Sequence, residues 1–285
     1  MDLTFVAAAC GARGARAAGR VQSLWSGYGE IVRVALEGAE ARTAIVKHVR
    51  PPARAGDVSH ARKVRSYAVE AAFYASYAER CDASCRVPRC FAHAELPDGG
   101  RLLVLEDLDA IGLAGRTHHP DAAATLVCLR WLASFHARFV GVPPERLWST
   151  GTYWHLATRR EELAALRDRA LEREAERLDR ALAGARWKTI VHGDAKPANF
   201  CFGAQGVAAV DFQYTGGGAG IRDVAYLLDR RDRASEQRLL DLYFERLRAE
   251  LAPDVDGAAL EAEWRALYPV AIADYRRFLA GWCPG

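Results

Sequence analysis

The chain has 285 residues, of which 51% are hydrophobic and 26% are charged, and this balance excludes a disordered protein. The formal net charge is only +3, and acidic residues are interleaved with the arginines, so a nucleic-acid-binding face is not expected. No uncharged apolar run reaches the length of about 18 residues that spans a membrane. The first residues lack the pattern of a signal peptide, and we expect a cytoplasmic protein.

The seven cysteines are an odd number, which predicts free thiols in a reducing compartment. One cluster permits a second interpretation, because four candidate zinc ligands follow each other closely: Cys81, Cys85, Cys90 and His93. Their spacing is looser than that of the usual paired cysteine knuckles. Thiols around a loop are the preferred interpretation, and zinc binding stays open.

In chain order, the first third of the sequence predicts strands followed by one helix. Residues 21–50 have strand character and contain a turn-rich loop, Ser26-Gly27-Tyr28-Gly29. Two prolines and a glycine predict a loop over residues 51–60, and apolar residues at helical spacing predict a helix over 61–80. Residues 102–105 form a short buried strand, and the abrupt change of polarity at Glu106 predicts a boundary between two lobes.

The remaining sequence is predominantly helical. Asp121 is predicted to cap a helix that ends at Phe139, and a charged helix or helix pair follows over residues 155–183. Two further helices are predicted over 235–251 and 258–282. The last helix carries aromatic residues near one face, which predict a core stripe or else a pocket wall suited to a cation: Trp264, Tyr268, Tyr275 and Trp282.

The densest polar patch lies between residues 190 and 213. A buried strand leads into a polar loop, and a hairpin then returns the chain, so Asp194, Asn199 and Asp211 are predicted to meet. Mg²⁺ prefers hard oxygen ligands, which an amide and a carboxylate supply. A second carboxylate held off the metal can accept the proton of an attacking hydroxyl. The pattern therefore predicts phosphoryl transfer.

This patch also carries a family resemblance. The segment from His192 to Asn199 resembles the H-x-D-x-x-x-x-N catalytic loop of the protein-kinase fold. With Gly193 in second place, it is similar to aminoglycoside phosphotransferases, choline kinases and ecdysteroid-kinase-like enzymes. Asp211 begins the segment that stands where protein kinases have D-F-G, and Asp223 looks like the acid that braces the loop. The resemblance covers roughly residues 22–282.

The resemblance implies a two-lobed α+β protein-kinase-like fold. A small antiparallel sheet with one helix would occupy residues 1–105, a hinge 106–109, and a larger helical lobe 110–285. The implied activity is ATP- and Mg²⁺-dependent transfer of the γ-phosphoryl group to a hydroxyl of a small molecule. The implied protein acts without a nucleic acid or a membrane, as a monomer or homodimer.

The resemblance further implies roles for individual residues around the transferred group. Asp194 would be the catalytic base, and Lys196 would contact the transferring phosphoryl group, where a cation stabilises developing charge. Asn199 and Asp211 would bind Mg²⁺.

For the nucleotide, Lys47 would grip the α- and β-phosphates, and Glu70 would pair with Lys47. Gly27 and Gly29 would let backbone N–H groups cover the phosphates, although the full G-x-G-x-x-G pattern is missing. The backbone from Glu106 to Leu108 would bind adenine.

Several alternatives remain at this point. A pseudokinase that binds nucleotide without turnover is disfavoured, because the sequence has all four polar residues that the family uses: Lys47, Asp194, Asn199 and Asp211. A protein kinase is disfavoured because Gly216-Gly217-Gly218 leads quickly into Asp223, with no A-P-E segment between. The acceptor is left open among an aminoglycoside, a choline-like alcohol, a steroid-like alcohol and a sugar, and so is the choice between ATP and GTP.

Overall fold

A computed structural model describes residues 1–52, 58–229 and 232–282 of the chain. The strands are β1 (Gly14–Ser23), β2 (Gly29–Glu37), β3 (Thr43–Val49), β4 (Cys90–Glu95), β5 (Arg101–Glu106), β6 (Thr189–Val191), β7 (Phe200–Gly203), β8 (Gly206–Ala209) and β9 (Gly216–Gly218). The α-helices are α1 (Leu3–Ala9), α2 (Val58–Ser76), α3 (Ala122–Phe139), α4 (Arg160–Ala164), α5 (Arg169–Ala183), α6 (Ile221–Leu228), α7 (Arg233–Glu250) and α8 (Gly257–Trp282). The predicted α+β class is confirmed.

The larger sheet is antiparallel, with the strand order β1-β2-β3-β5-β4. One of its faces is apolar, because Val34, Val46 and Val104 form a buried cluster with Val6 of α1. Side chains alternate between the two faces of a strand, so Lys47, which follows Val46 on β3, belongs to the opposite face. The strand pattern thereby directs a lysine towards the catalytic side of the sheet.

Helix α2 covers that opposite face and was predicted with shifted bounds. It begins at Val58, so the predicted loop over 51–60 is wrong for its last three residues, while residues 53–57 lie outside the described part of the chain. It ends at Ser76, and a 3₁₀ turn occupies Ala78–Arg80 where the prediction continued the helix. Glu70 and Phe73 of α2 are buried.

The helical part of the molecule is organised around α3. Asp121 caps this helix as predicted, because its Oδ1 accepts a hydrogen bond from the Ala124 amide at 2.7 Å. Apolar residues of α3 belong to one core cluster with residues of α6, α7 and α8. The charged segment over 155–183 forms α4 and α5, in agreement with the helix-pair interpretation. Within the ranges that the structure describes, no helix is long and apolar enough to cross a membrane.

The short strand β9 connects the catalytic region to α6 and is tightly confined. It pairs with β6, and Gly217 donates a hydrogen bond to the Trp148 carbonyl at 3.0 Å. A Cβ atom added at Gly216 would lie 2.2 Å from that carbonyl oxygen, which is far inside contact distance. Glycine is therefore required at this position for the chain to pass between Trp148 and β6.

Candidate active site

The catalytic-loop segment follows β6 and is held by a buried carboxylate. Gly193 has φ of +81°, and a Cβ atom there would lie 2.1 Å from the Tyr214 carbonyl oxygen, so only glycine fits. Asp223 of α6 accepts hydrogen bonds from the His192 amide at 2.6 Å and from the Gly193 amide at 3.0 Å. Asp223 therefore fixes the start of the loop, as its resemblance to the bracing acid implied.

Asp194 is the central carboxylate of the loop and is only 5% exposed. Its Oδ2 lies 2.8 Å from Nζ of Lys196 and accepts a hydrogen bond from Nδ2 of Asn199 at 3.0 Å. The same Nδ2 also donates to the Asp194 backbone carbonyl at 2.8 Å. Burial raises the pKa of Asp194 and the Lys196 ammonium opposes this effect, yet the pKa remains above the ordinary value.

A second group of charges joins the sheet, α2 and the segment after β8. Nζ of Lys47 lies 2.6 Å from Oε2 of Glu70 and 3.2 Å from Oδ1 of Asp211. Burial lowers the pKa of Lys47, but Asp211 and Glu70 outweigh it and the pKa is raised. Burial acts to raise the pKa of Asp211, but the Lys47 and Lys196 ammonium groups hold it below the ordinary value. Both Lys47 and Asp211 are therefore charged.

Two residues that the sequence interpretation did not single out position Asp211. Gln213 donates to Oδ1 of Asp211 at 2.5 Å and accepts a hydrogen bond from the Ser66 hydroxyl of α2 at 3.0 Å. Phe212 stacks on Phe73 of α2 with ring centroids 3.9 Å apart. The segment from Asp211 to Gln213 is thus docked on α2 by both polar and aromatic contacts. Gln213 stands where the D-F-G pattern of protein kinases has glycine, and this difference is the one sequence signal for it.

The oxygen atoms of Asn199 and Asp211 fit a divalent cation. Both hydrogen bonds from the Asn199 amide involve its nitrogen, and Lys47 and Gln213 both donate to Oδ1 of Asp211. Among the described residues, no hydrogen bond involves Oδ1 of Asn199 or Oδ2 of Asp211. Amide and carboxylate oxygens are the hard donors that Mg²⁺ prefers.

The predicted glycine loop forms the turn between β1 and β2. Gly27 and Gly29 both adopt positive φ, at +76° and +125°. A Cβ atom at Gly29 would lie 2.0 Å from the His48 carbonyl oxygen of β3, whereas one at Gly27 would meet open space. Both glycines lie outside the hydrogen-bonded cluster of the two lysines and the acids, and their phosphate-covering role stays a prediction.

The predicted adenine-binding backbone follows β5. The Glu106 amide donates to the Arg89 carbonyl at 2.8 Å, and the Glu106 carboxylate lies 2.8 Å from Nη2 of Arg86. Leu108 is buried, and its carbonyl accepts a hydrogen bond from the Leu113 amide at 2.9 Å. These residues also lie outside the charged cluster, and adenine binding by this segment stays a prediction.

The same segment is joined to the sheet by a buried carboxylate. Asp107 accepts hydrogen bonds from Nε of Arg33 at 2.6 Å and from the Thr43 hydroxyl at 2.8 Å. Nη2 of Arg33 also lies 2.5 Å from Oδ2 of Asp109. Strands β2 and β3 are therefore tied to the chain that leaves β5.

The cysteine cluster offers no arrangement for zinc. The Cys90 thiol contacts the Ala92 carbonyl at 3.4 Å, and the thiols of Cys81 and Cys85 lie close enough to interact with each other. Across the described ranges, no group of three or more His, Cys, Asp or Glu side chains is arranged to hold a metal ion. The described cysteines, which exclude Cys283, are free thiols.

The fold and this site together define a class of protein. A buried lysine–glutamate pair between a sheet and its helix faces a loop with an aspartate and an asparagine, as in phosphotransferases of the protein-kinase-like fold. The sequence profile of the phosphotransferase enzyme family matches residues 22–269, and the chain belongs to that family. The protein is a small-molecule kinase.

Solved structures show the same fold at low sequence identity. The amicoumacin kinase hAmiN, in complex with AMP-PNP, Ca²⁺ and Ami, is 15% identical, with 92% of this chain and 79% of that chain covered and a TM-score of 0.59. Choline kinase from Cryptosporidium parvum Iowa II is 12% identical, with 94% and 88% covered and a TM-score of 0.57. A putative fructosamine-3-kinase from Thermobifida fusca YX-ER1 is 20% identical, with 96% and 98% covered and a TM-score of 0.51. No curated protein matches the chain.

Proposed function

We propose that the protein transfers the γ-phosphoryl group of Mg²⁺-bound ATP to a hydroxyl group of a small molecule. The observation that carries this proposal is the meeting of Lys47 and Asp211 with Asp194 and Asn199 in one polar cluster, in which Asp211 is the partly exposed member. Asp211 and Asn199 would hold Mg²⁺ through their unengaged oxygens. When bound, Mg²⁺ would neutralise charge on the phosphates. Lys47 would bind the α- and β-phosphates.

Asp194 would act as the general base in this reaction. Its carboxylate would accept the proton of the acceptor hydroxyl, and burial supports this role because a raised pKa makes a carboxylate a stronger base. Lys196 is held 2.8 Å from Oδ2 of Asp194 and brings a positive charge to the place where the phosphoryl group would pass. Catalysis would come mainly from positioning and from charge stabilisation.

The remaining predicted residues would complete the nucleotide site. Gly27 and Gly29 would bring backbone N–H groups towards the phosphates, supported by the open space beside Gly27. The backbone from Glu106 to Leu108 would bind the base. The tie between Arg33 and Asp107 would keep that segment in register with the sheet that carries Lys47.

The test is an ATP-consumption screen over small alcohols with the wild type and Asp194→Asn. The substitution preserves size and removes the base, so we expect turnover of any accepted alcohol to fall by about 10²–10⁴-fold. Stabilisation against heat by Mg²⁺ and ATP should persist in the variant. The exposed Asp254 offers a matched control, and Asp254→Asn should behave as the wild type. Equal turnover by wild type and Asp194→Asn would leave a nucleotide-binding protein without catalysis as the better description.

A further inference from the structure

Three aromatic rings near the catalytic loop surround the guanidinium group of Arg159. The guanidinium carbon of Arg159 lies 4.1 Å from the ring centroid of Tyr153, 5.3 Å from that of Trp282 and 5.7 Å from that of Phe278. These are the distances at which a cation is attracted to an aromatic face. Such a group of rings would otherwise suit a quaternary ammonium ligand. We call Tyr153, Phe278 and Trp282 the aromatic cage.

Arg159 is fixed in this cage by polar contacts. Its Nε donates to the Tyr153 carbonyl at 2.9 Å, and its Nη1 lies 3.0 Å from Oε1 of Glu162. Arg159 is only 2% exposed, whereas Trp282 is 48% exposed. The cage therefore reaches the surface through Trp282, while its interior is filled by a hydrogen-bonded guanidinium.

The cage adjoins the proposed base. The Tyr153 backbone amide donates to the Gly193 carbonyl at 2.7 Å, so the residue that carries this ring is bound directly to the catalytic loop. The Tyr214 ring meets Tyr153 edge-on with centroids 4.9 Å apart. Burial raises the pKa of Tyr226, and its hydroxyl also lies close enough to the Asp194 carboxylate for that charge to raise the pKa further. An alcohol that approaches Asp194 from this side would meet tyrosine rings backed by Arg159.

Cations outnumber carboxylates among the charged groups that act on the Tyr153 hydroxyl. They are Arg159, Lys196 and Arg62 against Asp194. Arg159, Arg62 and Asp194 also act on the Tyr214 hydroxyl. Part of the charge of Asp194 is already engaged by the Lys196 ammonium at 2.8 Å. An ammonium group placed here would meet like charge and would find the aromatic cage filled.

From this arrangement we propose that Arg159 selects against cationic acceptors, and that the acceptor is an uncharged or anionic alcohol whose apolar body packs on Tyr153 and Tyr214. This inference rests on the proposed function and specifies its substrate class. Arg159 is a specificity-determining residue in this proposal and takes no part in the chemistry. The tyrosine rings supply apolar contact area, and Asp194 receives the hydroxyl.

The decisive comparison uses two alcohols of the same shape that differ in charge. Choline carries a trimethylammonium group, and 3,3-dimethylbutan-1-ol carries a tert-butyl group in its place. ATP consumption and binding to the protein with Mg²⁺ and AMP-PNP are measured for both. We expect the neutral alcohol to bind more tightly and to be turned over with kcat/KM at least about tenfold higher, because like charge disfavours the cation. Equal or better use of choline, or binding of neither alcohol at millimolar concentration, overturns the inference.

A variant tests whether Arg159 is the cause. The double substitution Arg159→Leu with Glu162→Leu removes the guanidinium together with its carboxylate, whose Oε2 has no hydrogen-bond partner among the described residues. The neutral alcohol should then exceed choline in kcat/KM by a ratio about tenfold smaller than in the wild type, because the rings no longer hold the guanidinium and can attract another cation. Arg160→Leu, at the exposed neighbouring position, should leave the ratio unchanged. An unchanged ratio in a double variant that Mg²⁺ and ATP still stabilise against heat would overturn the assignment to Arg159.

The wild-type comparison decides the substrate class even where the double variant fails to fold. Failure of the proposed function has a different signature from failure of this inference. If no alcohol supports ATP consumption and Mg²⁺ with ATP gives no thermal stabilisation, the phosphotransfer proposal itself is wrong. If choline is the preferred member of the pair, phosphotransfer stands and only the substrate class is overturned.

Discussion

Two donors converge on a single oxygen of Asp194, and they set how this carboxylate titrates. Lys196 and Asn199 both contact Oδ2, and only Lys196 brings a full positive charge. Burial raises the pKa of Asp194, while Lys196 lowers it. The proton affinity of the proposed base is therefore a balance between desolvation and one ammonium group, whose side chain is 42% exposed.

Lys196→Met should shift the acidic limb of the pH–activity profile. Without the ammonium, the pKa of Asp194 rises further above its ordinary value, so a higher pH is needed to ionise the base. The acidic limb of kcat/KM should move to higher pH, and the maximal rate should fall because a stabilising charge is lost. The measurement is kcat/KM against pH for wild type and variant. An acidic limb that stays in place would show that Lys196 does not tune the base.

At the residue scale, the spacing of the motif residues predicted which polar groups of the catalytic loop meet. It could not predict contacts between residues that are far apart in the sequence. The spacing of Asp194, Asn199 and Asp211 requires a loop and a hairpin that the sequence also predicts, and the structure brings these groups together. Of the two glutamates in the helix predicted over 61–80, Glu70 pairs with Lys47, whereas Glu79 lies in the 3₁₀ turn beyond α2. No local signal linked Arg159 to the cage, because Phe278 and Trp282 are more than one hundred positions away.

At the scale of the elements, helix α6 positions the catalytic loop through the side chain of Asp223. Its Asp223 accepts hydrogen bonds from two successive loop amides and lies 3.2 Å from Nε2 of His136 on α3. Asp223 and His136 are fully buried. One carboxylate thus joins the catalytic loop to two helices.

Asp223→Ala should weaken both stability and activity. The substitution leaves the His192 and Gly193 amides buried without an acceptor, and we expect the free energy of unfolding to fall by about 3–5 kcal/mol. Urea unfolding measures this change, with Asp254→Ala at an exposed position as the control. Activity at a temperature where the variant is still folded should also fall, because Gly193 leads directly into Asp194. Indistinguishable unfolding midpoints for the two variants would contradict the bracing role.

Three of the elements that the sequence did not predict lie at the start of the chain and at the far sheet edge. Strand β1 is an edge strand with most residues exposed, so its sequence lacks the apolar alternation by which strands are recognised. Helix α1 is only seven residues long, and its one signal was Asp2, whose Oδ1 caps the Thr4 amide at 2.9 Å. Strand β4 contains only one large apolar residue, Phe91, and pairs with β5.

At the scale of the whole molecule, the sheet and the chain leaving it are held together by Arg33 and Asp107. Burial acts to raise the pKa of Asp107, but hydrogen bonds from Arg33 and Thr43 lower it below the ordinary value. A lowered pKa means that the carboxylate stabilises the fold above its unfolded pKa. That contribution is lost as the pH falls through the folded pKa.

Arg33→Met should lower the free energy of unfolding by about 1–3 kcal/mol, a range reduced because Arg33 is partly exposed while Thr43 still satisfies one oxygen. The same variant should show a smaller loss of stability on acidification, because the pKa of Asp107 then lies closer to its unfolded value. Urea unfolding at neutral and acidic pH measures both effects. Arg20→Met on the exposed edge strand is the control and should match the wild type. An identical acid dependence for Arg33→Met would contradict the account.

The glycine strand that follows Asp211 has a consequence for the time course of the reaction. Gly216 passes so close to Trp148 that no side chain fits, and the segment is anchored at both ends by α2 and α6. A chain confined in this way has little freedom to swing out and back between turnovers. Asp194 and Asp211 already have their positions in the protein without substrate. We therefore expect the first product to form after mixing without a lag. A rearrangement of this segment would then not limit the rate of turnover.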